Sequence, residues 1–434
     1  MLRRIASTIY LFATCATAQA AIVSSGNVNP ANPAAWTSST TAYVGESLSG
    51  SVTVDGGSLL RSGDSRVGRY IGSAGQVTVN GAGSIWTSSG RLDVGHYGAG
   101  TLTITGGGTV STLNSYVASE FGSTGHVTVD GAGSTWTNGG DLDVGHYGDG
   151  TLAISGGGTV STSSSYVGLA SVSTGQITVA GAGSTWTNSD NLHVGVVGAG
   201  TLTITGGGTV GSSEGFLGLF SNSTGDVVVD GAGSTWSNSA DLHLGVYGDG
   251  ALTITGGGLV SVGGGLLIGA GGDNFINMAT GGILALAGDA DDSLAQFLAL
   301  ISGSPAIRYW DDGVSGWADI AGAAYGDDYT LHYLAAGELA GFTLLTVGAA
   351  NATGLAGDFD GDFDVDGFDF LAWQRGQSPN PRSAADLADW QANFGLVSTS
   401  ATQFSAAPEP AGAMLAVLAI GIAGLACRGR HRRH

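Results

Sequence analysis

Short apolar–polar alternations recur along the chain at a fixed interval. Segments of the form V-T-V-x-G or L-T-I-x-G begin nine times, 25 residues apart, at residues 52, 77, 102, 127, 152, 177, 202, 227 and 252. An alternation with a period of two indicates a strand with one buried face. A second short segment ending in Gly lies between them, as in "LDVG" at 92 and "LHVG" at 192. The pattern therefore predicts units of short strands joined by glycine-rich corners.

A unit of this length cannot bury an apolar face by itself, so we expect the units to stack. An extended chain rises about 3.3 Å per residue, and neighbouring strands lie about 4.8 Å apart. Nine coils then form a rod about 45 Å long. We predict a mainly β fold, with a parallel β-solenoid over residues 40–276. The general rule for parallel crossover connections makes it right-handed.

Two kinds of coil alternate, because the longer repeat is fifty residues. One kind places Trp and the other Val at the same point of the coil: Trp86, Val110, Trp136, Val160, Trp186, Val210, Trp236 and Val260. Large and small side chains that alternate along one interior column fill it without voids.

The second strand of each coil supplies the candidate contact residues. If its last Val or Leu points inward, the preceding residue points outward. Those residues form one strip: Asp93, Tyr116, Asp143, Tyr166, His193, Phe216 and His243. Aromatic rings beside polar groups suit a sugar ligand. The strip is a candidate glycan contact; in the alternative interpretation, the rings only cover the neighbouring coil.

The motifs "GAGSxW", "LxVGxxGxG" and "LTITGGG" over roughly residues 40–270 resemble a repeat family. That family is shared by autotransporter-type surface proteins and PEP-CTERM proteins. The resemblance implies a surface-exposed β-helix and supplies no activity.

Composition and charge exclude several classes of function. The chain has no lysine, and between its terminal arginines seven arginines face 34 acids, a net charge of −27. Binding of nucleic acid through a basic surface is excluded. Between residues 92 and 307 there is no Arg or Lys, and the acids recur with the repeat. We therefore expect no polysaccharide-degrading active site in the solenoid, and no enzyme.

Both ends of the chain carry targeting signals. Residues 1–20 read as a secretory signal peptide, and residues 21–39 as a lead-in to the solenoid. Pro408, Glu409 and Pro410 precede an apolar run at 411–427 and a basic tail. Residues 408–434 thus resemble a PEP-CTERM sorting signal with a transmembrane segment. The resemblance implies processing by an exosortase-type enzyme near Pro408–Glu409–Pro410 and a location at the cell surface or outside the cell. A plain membrane anchor is the alternative.

The region between the solenoid and this signal divides into three parts. Residues 277–350 are expected to form a small α+β cap, with a helix at "DDSLAQFLALI" and strands at "AIRYWDD" and "FTLLTV". Residues 397–407 are a linker. In residues 351–396, acids at alternate positions fit a single Ca²⁺ loop: Asp358, Asp360, Asp362, Asp364, Asp366 and Asp369.

The Ca²⁺ loop and the helices after it resemble a dockerin-type module. Phe363 occupies the position where such loops carry Gly, and a second acidic series is missing. A cohesin-like partner, which the resemblance implies, is therefore doubtful, and an acidic linker is an alternative. The whole sequence predicts an exported, non-enzymatic surface or matrix protein with a structural or adhesive role. The alternative function is glycan binding through the aromatic strip.

Overall fold

The computed structural model of the chain describes residues 21–279, 281–303, 306–326, 328–335, 339–348, 367, 370, 373–374 and 383–394. The chain divides into two compact units, residues 1–352 and 353–434, and each is considered by itself.

The first unit is a parallel β-solenoid of about ten turns, which confirms the predicted fold class. Each turn contributes one strand to each of three sheets, called the first, second and third sheet in the order in which the chain enters them. The strands of the first sheet are Ala21–Gly26, Gly50–Asp55, Ala74–Asn80, Ala99–Thr105, Thr124–Asp130, Asp149–Ser155, Thr174–Ala180, Ala199–Thr205, Thr224–Asp230, Asp249–Thr255, Phe275–Met278, Ile307–Asp311 and Gly316–Asp319.

The second and third sheets are built from shorter strands. Those of the second sheet are Leu59–Ser62, Ile85–Ser88, Thr109–Thr112, Thr135–Asn138, Thr159–Thr162, Thr185–Asn188, Thr209–Ser212, Thr235–Asn238, Leu259–Val262, Ile283–Ala287, Phe342–Val347 and Tyr329–Leu334. Those of the third sheet are Val28–Asn29, Ala42–Val44, Ser65–Val67, Arg91–Val94, Asn114–Val117, Leu142–Val144, Ser165–Val167, Leu192–Val194, Gly215–Leu217, Leu242–Leu244 and Leu266–Ile268.

The interior is one continuous apolar core that runs along the described solenoid. Each Trp of the alternating column pairs in register with a Val of the next turn, as Trp136 does with Val110 and Val160. All four of these Trp side chains are fully buried. The predicted large–small column is confirmed, and it fills the interior because every bulky ring lies between two small side chains.

Serine and glycine close the corner between the first and second sheets. The Ser134 hydroxyl donates to the carbonyl of Asp130 at 2.6 Å and accepts from the Gly107 amide of the preceding turn at 3.1 Å. Ser184 and Ser234 make the same pair of contacts with their own turns. The serine of "GAGS" therefore satisfies backbone groups that the corner would otherwise bury without partners.

Antiparallel strands cover both ends of the first sheet's parallel ladder. Ala21–Gly26 pairs antiparallel with Gly50–Asp55, and Gly316–Asp319 pairs antiparallel with Ile307–Asp311. A helix at Ala290–Gly303 and strands at Ile307–Asp311 and Phe342–Val347 match the elements predicted from the sequence. Phe297 of this helix is buried in the solenoid core. Two 3₁₀ turns complete this unit, at Pro33–Ala35 and Ile320–Gly322.

In the second unit the structure describes a helix at Ala384–Asn393. The Ser383 hydroxyl caps it by accepting from the Asp386 amide at 3.0 Å. The ring of Phe370 lies 5.6 Å from that of Trp373 and 4.8 Å from that of Trp390, measured between centroids. The six acids of the predicted Ca²⁺ loop lie outside the described residues.

Candidate functional site

The outer face of the third sheet brings the predicted strip together. Strand pairing places its residues in register in one column, which we call the outer column: Arg66, Asp93, Tyr116, Asp143, Tyr166, His193, Phe216, His243 and Leu267. The side chains after them in the same strands, Val94 and Val144 among them, are buried in the core. The predicted orientation of the strand is therefore confirmed.

The first turns of the outer column form a charged cluster around Asp93. Its Oδ1 accepts from Arg91 Nε at 2.5 Å and from the Ser119 hydroxyl at 3.2 Å. Its Oδ2 lies 3.4 Å from both Arg66 Nε and His96 Nδ1. Arg91 in turn lies 4.0 Å from the centroid of the Tyr116 ring. These neighbours cover the carboxylate, and Asp93 is only 1 % exposed.

Two turns further on, Asp143 is held by a histidine instead of arginines. Its Oδ2 lies 2.5 Å from Nδ1 of His146, which belongs to the corner that follows the strand. The imidazole also contacts the rings of Tyr116 and Tyr147 edge-on, at 4.9 and 4.7 Å between centroids. Asp143 is 4 % exposed. Burial raises the pKa of this carboxyl, and the hydrogen bond to His146 opposes that shift.

The last turns of the outer column form a stack of parallel rings. Tyr166, His193, Phe216 and His243 follow one another with centroids 4.6–4.8 Å apart and planes within 11° of parallel. This spacing is that of the strands themselves, about 4.8 Å, so the ladder fixes the stack. Burial lowers the pKa of His193, and it raises the pKa of Tyr166.

The structure changes two expectations about the strip as a ligand surface. Asp93 and Asp143 lie on the outer side of the sheet but do not face solvent, since Arg66, Arg91, His96 and His146 cover them. Within the ring stack, the faces contact each other, so inner members expose mainly their edges. A sugar stacks on ring faces. The outer column is therefore better suited to holding neighbouring turns together, and its glycan contact remains a prediction.

Sequence reasoning missed the arginines of this site. Arg66 falls in "LLRSGDSRVG", which does not match the consensus of the other coils, so it was not aligned with the strip. Arg66 and Asp93 are 27 residues apart, whereas Asp93 and Tyr116 are 23 apart, because the corner loops alternate in length. An alignment with alternating intervals is the signal that places Arg66 beside Asp93.

The structure brings together no new metal centre. Among the described residues, no group of three or more His, Cys, Asp or Glu side chains has a geometry that would hold a metal ion. The Ca²⁺ loop residues Asp358, Asp360, Asp362, Asp364, Asp366 and Asp369, and the sorting residues Pro408, Glu409 and Pro410, lie outside the described part of the chain. The helices that the structure describes include none long and apolar enough to cross a membrane.

Comparison with known proteins adds no assignment. No family model matches the chain, and no curated protein or solved structure shows significant similarity to it.

Proposed function

We propose that this chain is an exported, non-enzymatic protein of the cell surface or extracellular matrix, with a structural or adhesive role. The observation that supports this proposal best is the unbroken register of the first sheet. Its strands repeat every 25 residues from Gly50–Asp55 to Asp249–Thr255. Ten turns at about 4.8 Å form a rod about 48 Å long with one continuous core. A rod of this kind holds its two ends apart and presents a repeated surface.

Contacts within the outer column favour a supporting role over catalysis. The carboxylate of Asp93 is engaged by Arg91 and Ser119, and that of Asp143 by His146. Such pairs join successive turns and compensate the cost of burying charge. A polysaccharide-degrading enzyme, the least favoured alternative, needs acids that are open to a substrate.

The finer parts of the proposal concern the remaining segments. Residues 277–350 act as a cap, because an uncovered end of a solenoid leaves backbone groups and apolar core open to water. Residues 351–396 form a Ca²⁺-stabilised helical module. Residues 408–434 direct the protein to an exosortase-type enzyme through a membrane-spanning segment. Extracellular polysaccharide is the expected surrounding, and docking to a cohesin-like partner is the weakest part of the proposal.

Removal of whole repeats tests the structural role. Excision of residues 127–176 or of residues 177–226 deletes fifty residues and leaves the flanking strands in equivalent positions. The first excision removes the Asp143–His146 pair, and the second removes His193 and Phe216. Both shortened proteins are expected to fold, to reach the cell surface and to retain adhesion of the producing cells. Loss of adhesion with only one excision would contradict a distributed role and locate the function in the deleted turns.

Two measurements test the parts outside the solenoid. Calorimetric titration of the chain with Ca²⁺ is expected to show one strong site, which Asp358→Ala combined with Asp362→Ala abolishes. Replacement of Pro408, Glu409 and Pro410 by alanine is expected to keep the protein in the membrane fraction. Absence of Ca²⁺ binding would reduce residues 351–396 to a linker, and unchanged sorting would remove the exosortase assignment.

A further inference from the structure

The corner between the third sheet and the next strand of the first sheet carries a line of exposed apolar side chains. We call this line the loop ridge and define it by Tyr97, Phe121, Tyr147, Val172, Phe220 and Tyr247. The exposed fraction of these side chains runs from 42 % for Tyr97 to 74 % for Phe121. None of them belongs to the outer column, and the period-two pattern does not reveal them because they lie in loops.

The loop ridge is continuous along the solenoid. Backbone hydrogen bonds join successive corners, from the Tyr147 amide to the Ala118 carbonyl at 3.2 Å and from the Phe220 amide to the Val196 carbonyl at 3.0 Å. The six side chains come from seven consecutive turns, and the remaining turn places the half-buried Val197 at this corner. At about 4.8 Å per turn, the ridge extends over about 29 Å.

The rings of the loop ridge differ from those of the outer column in their free faces. Within the described residues, Phe121, Phe220 and Tyr247 contact no other aromatic ring, whereas Tyr97 and Tyr147 contact only the edge of the preceding histidine. Contiguous exposed apolar surfaces of this extent mark binding sites. A linear, periodic surface with free ring faces suits a linear, periodic partner.

Charge restricts the chemistry of that partner. Between residues 92 and 307 the chain has no Arg or Lys, and Glu120, Asp149 and Asp249 lie in or next to the ridge loops. An acidic polymer, an anionic lipid surface or a second copy of this acidic chain is repelled. An uncharged polysaccharide carries no such penalty, and its sugar rings present apolar faces between hydroxyl groups.

We propose that the loop ridge binds an extended, uncharged polysaccharide that runs parallel to the solenoid axis. Tyr97 and Tyr147 are fifty residues apart, so equivalent rings recur every two turns, about 9.6 Å, which is the length scale of one disaccharide unit. Exposed hydrogen-bonding groups, Ser221 and Asn222, lie beside Phe220 in the same loop. Each ring contact is weak, and affinity arises from several that are made together.

This inference gives the adhesive role a ligand class and rests on the proposed function only for its biological setting. Binding is measured on the purified full chain, so it does not depend on export or on C-terminal processing. A protein that binds glycan but stays inside the cell would refute the proposed location alone. A surface protein that binds no uncharged glycan would refute this inference alone.

The test is affinity electrophoresis of the full chain in gels that contain an uncharged β-glucan, mannan or xylan, with polygalacturonate as the acidic comparison. The ridge variant combines Phe121→Ser, Phe220→Ser and Tyr247→Ser, three exposed side chains whose loss leaves the core intact. The matched control is Leu113→Ser, since Leu113 is also exposed and apolar but lies at the corner between the second and third sheets. Circular dichroism verifies that both variants fold.

At least one uncharged polysaccharide is expected to retard the chain, and the ridge variant is expected to weaken that binding by about tenfold or more. The control variant should bind like the original. With soluble oligosaccharides of the same polymer, affinity should rise with length over several disaccharide units. Three results would overturn the proposal: no retardation by any uncharged polymer, equal binding by the ridge variant, or retardation by polygalacturonate alone. Binding to anionic vesicles or self-association that only the ridge variant loses would assign the ridge to another partner.

Discussion

Ala118 occupies a position where the other turns of the solenoid carry glycine. Its φ is +58°, in the left-handed region, and the equivalent Gly168 has a φ of +71°. A residue with a Cβ loses about 1–2 kcal/mol in this conformation. Glycine has more freedom to lose on folding, which offsets about 0.4–1 kcal/mol of that difference. We therefore expect Ala118→Gly to increase the free energy of unfolding by about 0.5–1 kcal/mol.

The reverse substitution in the next odd turn should have the opposite sign and a larger size. A Cβ on Gly168 would lie 2.2 Å from the Ala199 carbonyl oxygen, so the backbone of the following turn must move. We expect Gly168→Ala to cost about 2–3 kcal/mol. Gly211→Ala is the control, because Gly211 has no positive φ and nothing within 4 Å of its added Cβ. That variant should be neutral or slightly stabilised.

Urea unfolding of the full chain, followed by fluorescence of the buried tryptophans, measures these differences. Stacked repeats can unfold in parts, so hydrogen exchange of the amides in residues 114–130 provides a local reading of the same effect. Ala118→Gly should slow exchange there. If Ala118→Gly destabilised the protein while Gly168→Ala left it unchanged, the assignment of this corner to backbone strain would be wrong.

Three further substitutions test the corner, the ring stack and the core. Ser134→Ala removes the acceptor of the Gly107 amide and should cost about 1–3 kcal/mol in urea unfolding, whereas Thr135→Ala, on the outer side of the same strand, should cost less than about 0.5 kcal/mol; equal effects would exclude the serine as the satisfying group. His193 has a folded-state pKa below 6.5, so the folded protein binds fewer protons than the unfolded chain and loses stability as the pH falls below 6.5. His193→Phe, which keeps a ring in the stack, should reduce this loss in thermal unfolding between pH 7 and pH 5, and an unchanged pH profile would contradict it. Trp136→Val places three valines in succession in the interior column, so the cavity should cost about 3 kcal/mol or more and lower the melting temperature; a variant as stable as the original would show that the column does not fill the core.

The repeat made much of the fold accessible from the sequence. An error in orienting one strand would have been repeated in every turn, and no single assignment could have buried Val52, Val77 and Leu102 while exposing Trp86 and Trp136. The alternation is local geometry with a period of two, so inward and outward faces follow from it. The same logic gathered Tyr116, His193 and their neighbours into one outer column before any coordinates were considered.

Contacts between turns were less accessible, because they depend on loop lengths and on side-chain reach. The glycines at the second position of each first-sheet strand illustrate this point. Gly150 has no positive φ, yet a Cβ there would lie 2.2 Å from the Gly145 amide nitrogen. The requirement comes from the corner that crosses above the strand, and no property of the segment "DGTLAIS" announces it.

The sequence by itself determined the solenoid, the length of its coils, the alternating Trp–Val column and the face on which each strand residue lies, since all of these follow from periodicity. Tertiary structure alone decided which of the outward residues meet water. Asp93 and Tyr247 are both outside the core by position, but Arg66 and Arg91 cover the first, whereas the second stands free at a corner. Exposure depends on neighbours one turn away, and a one-dimensional repeat specifies those neighbours only after the loops have set the stagger between turns.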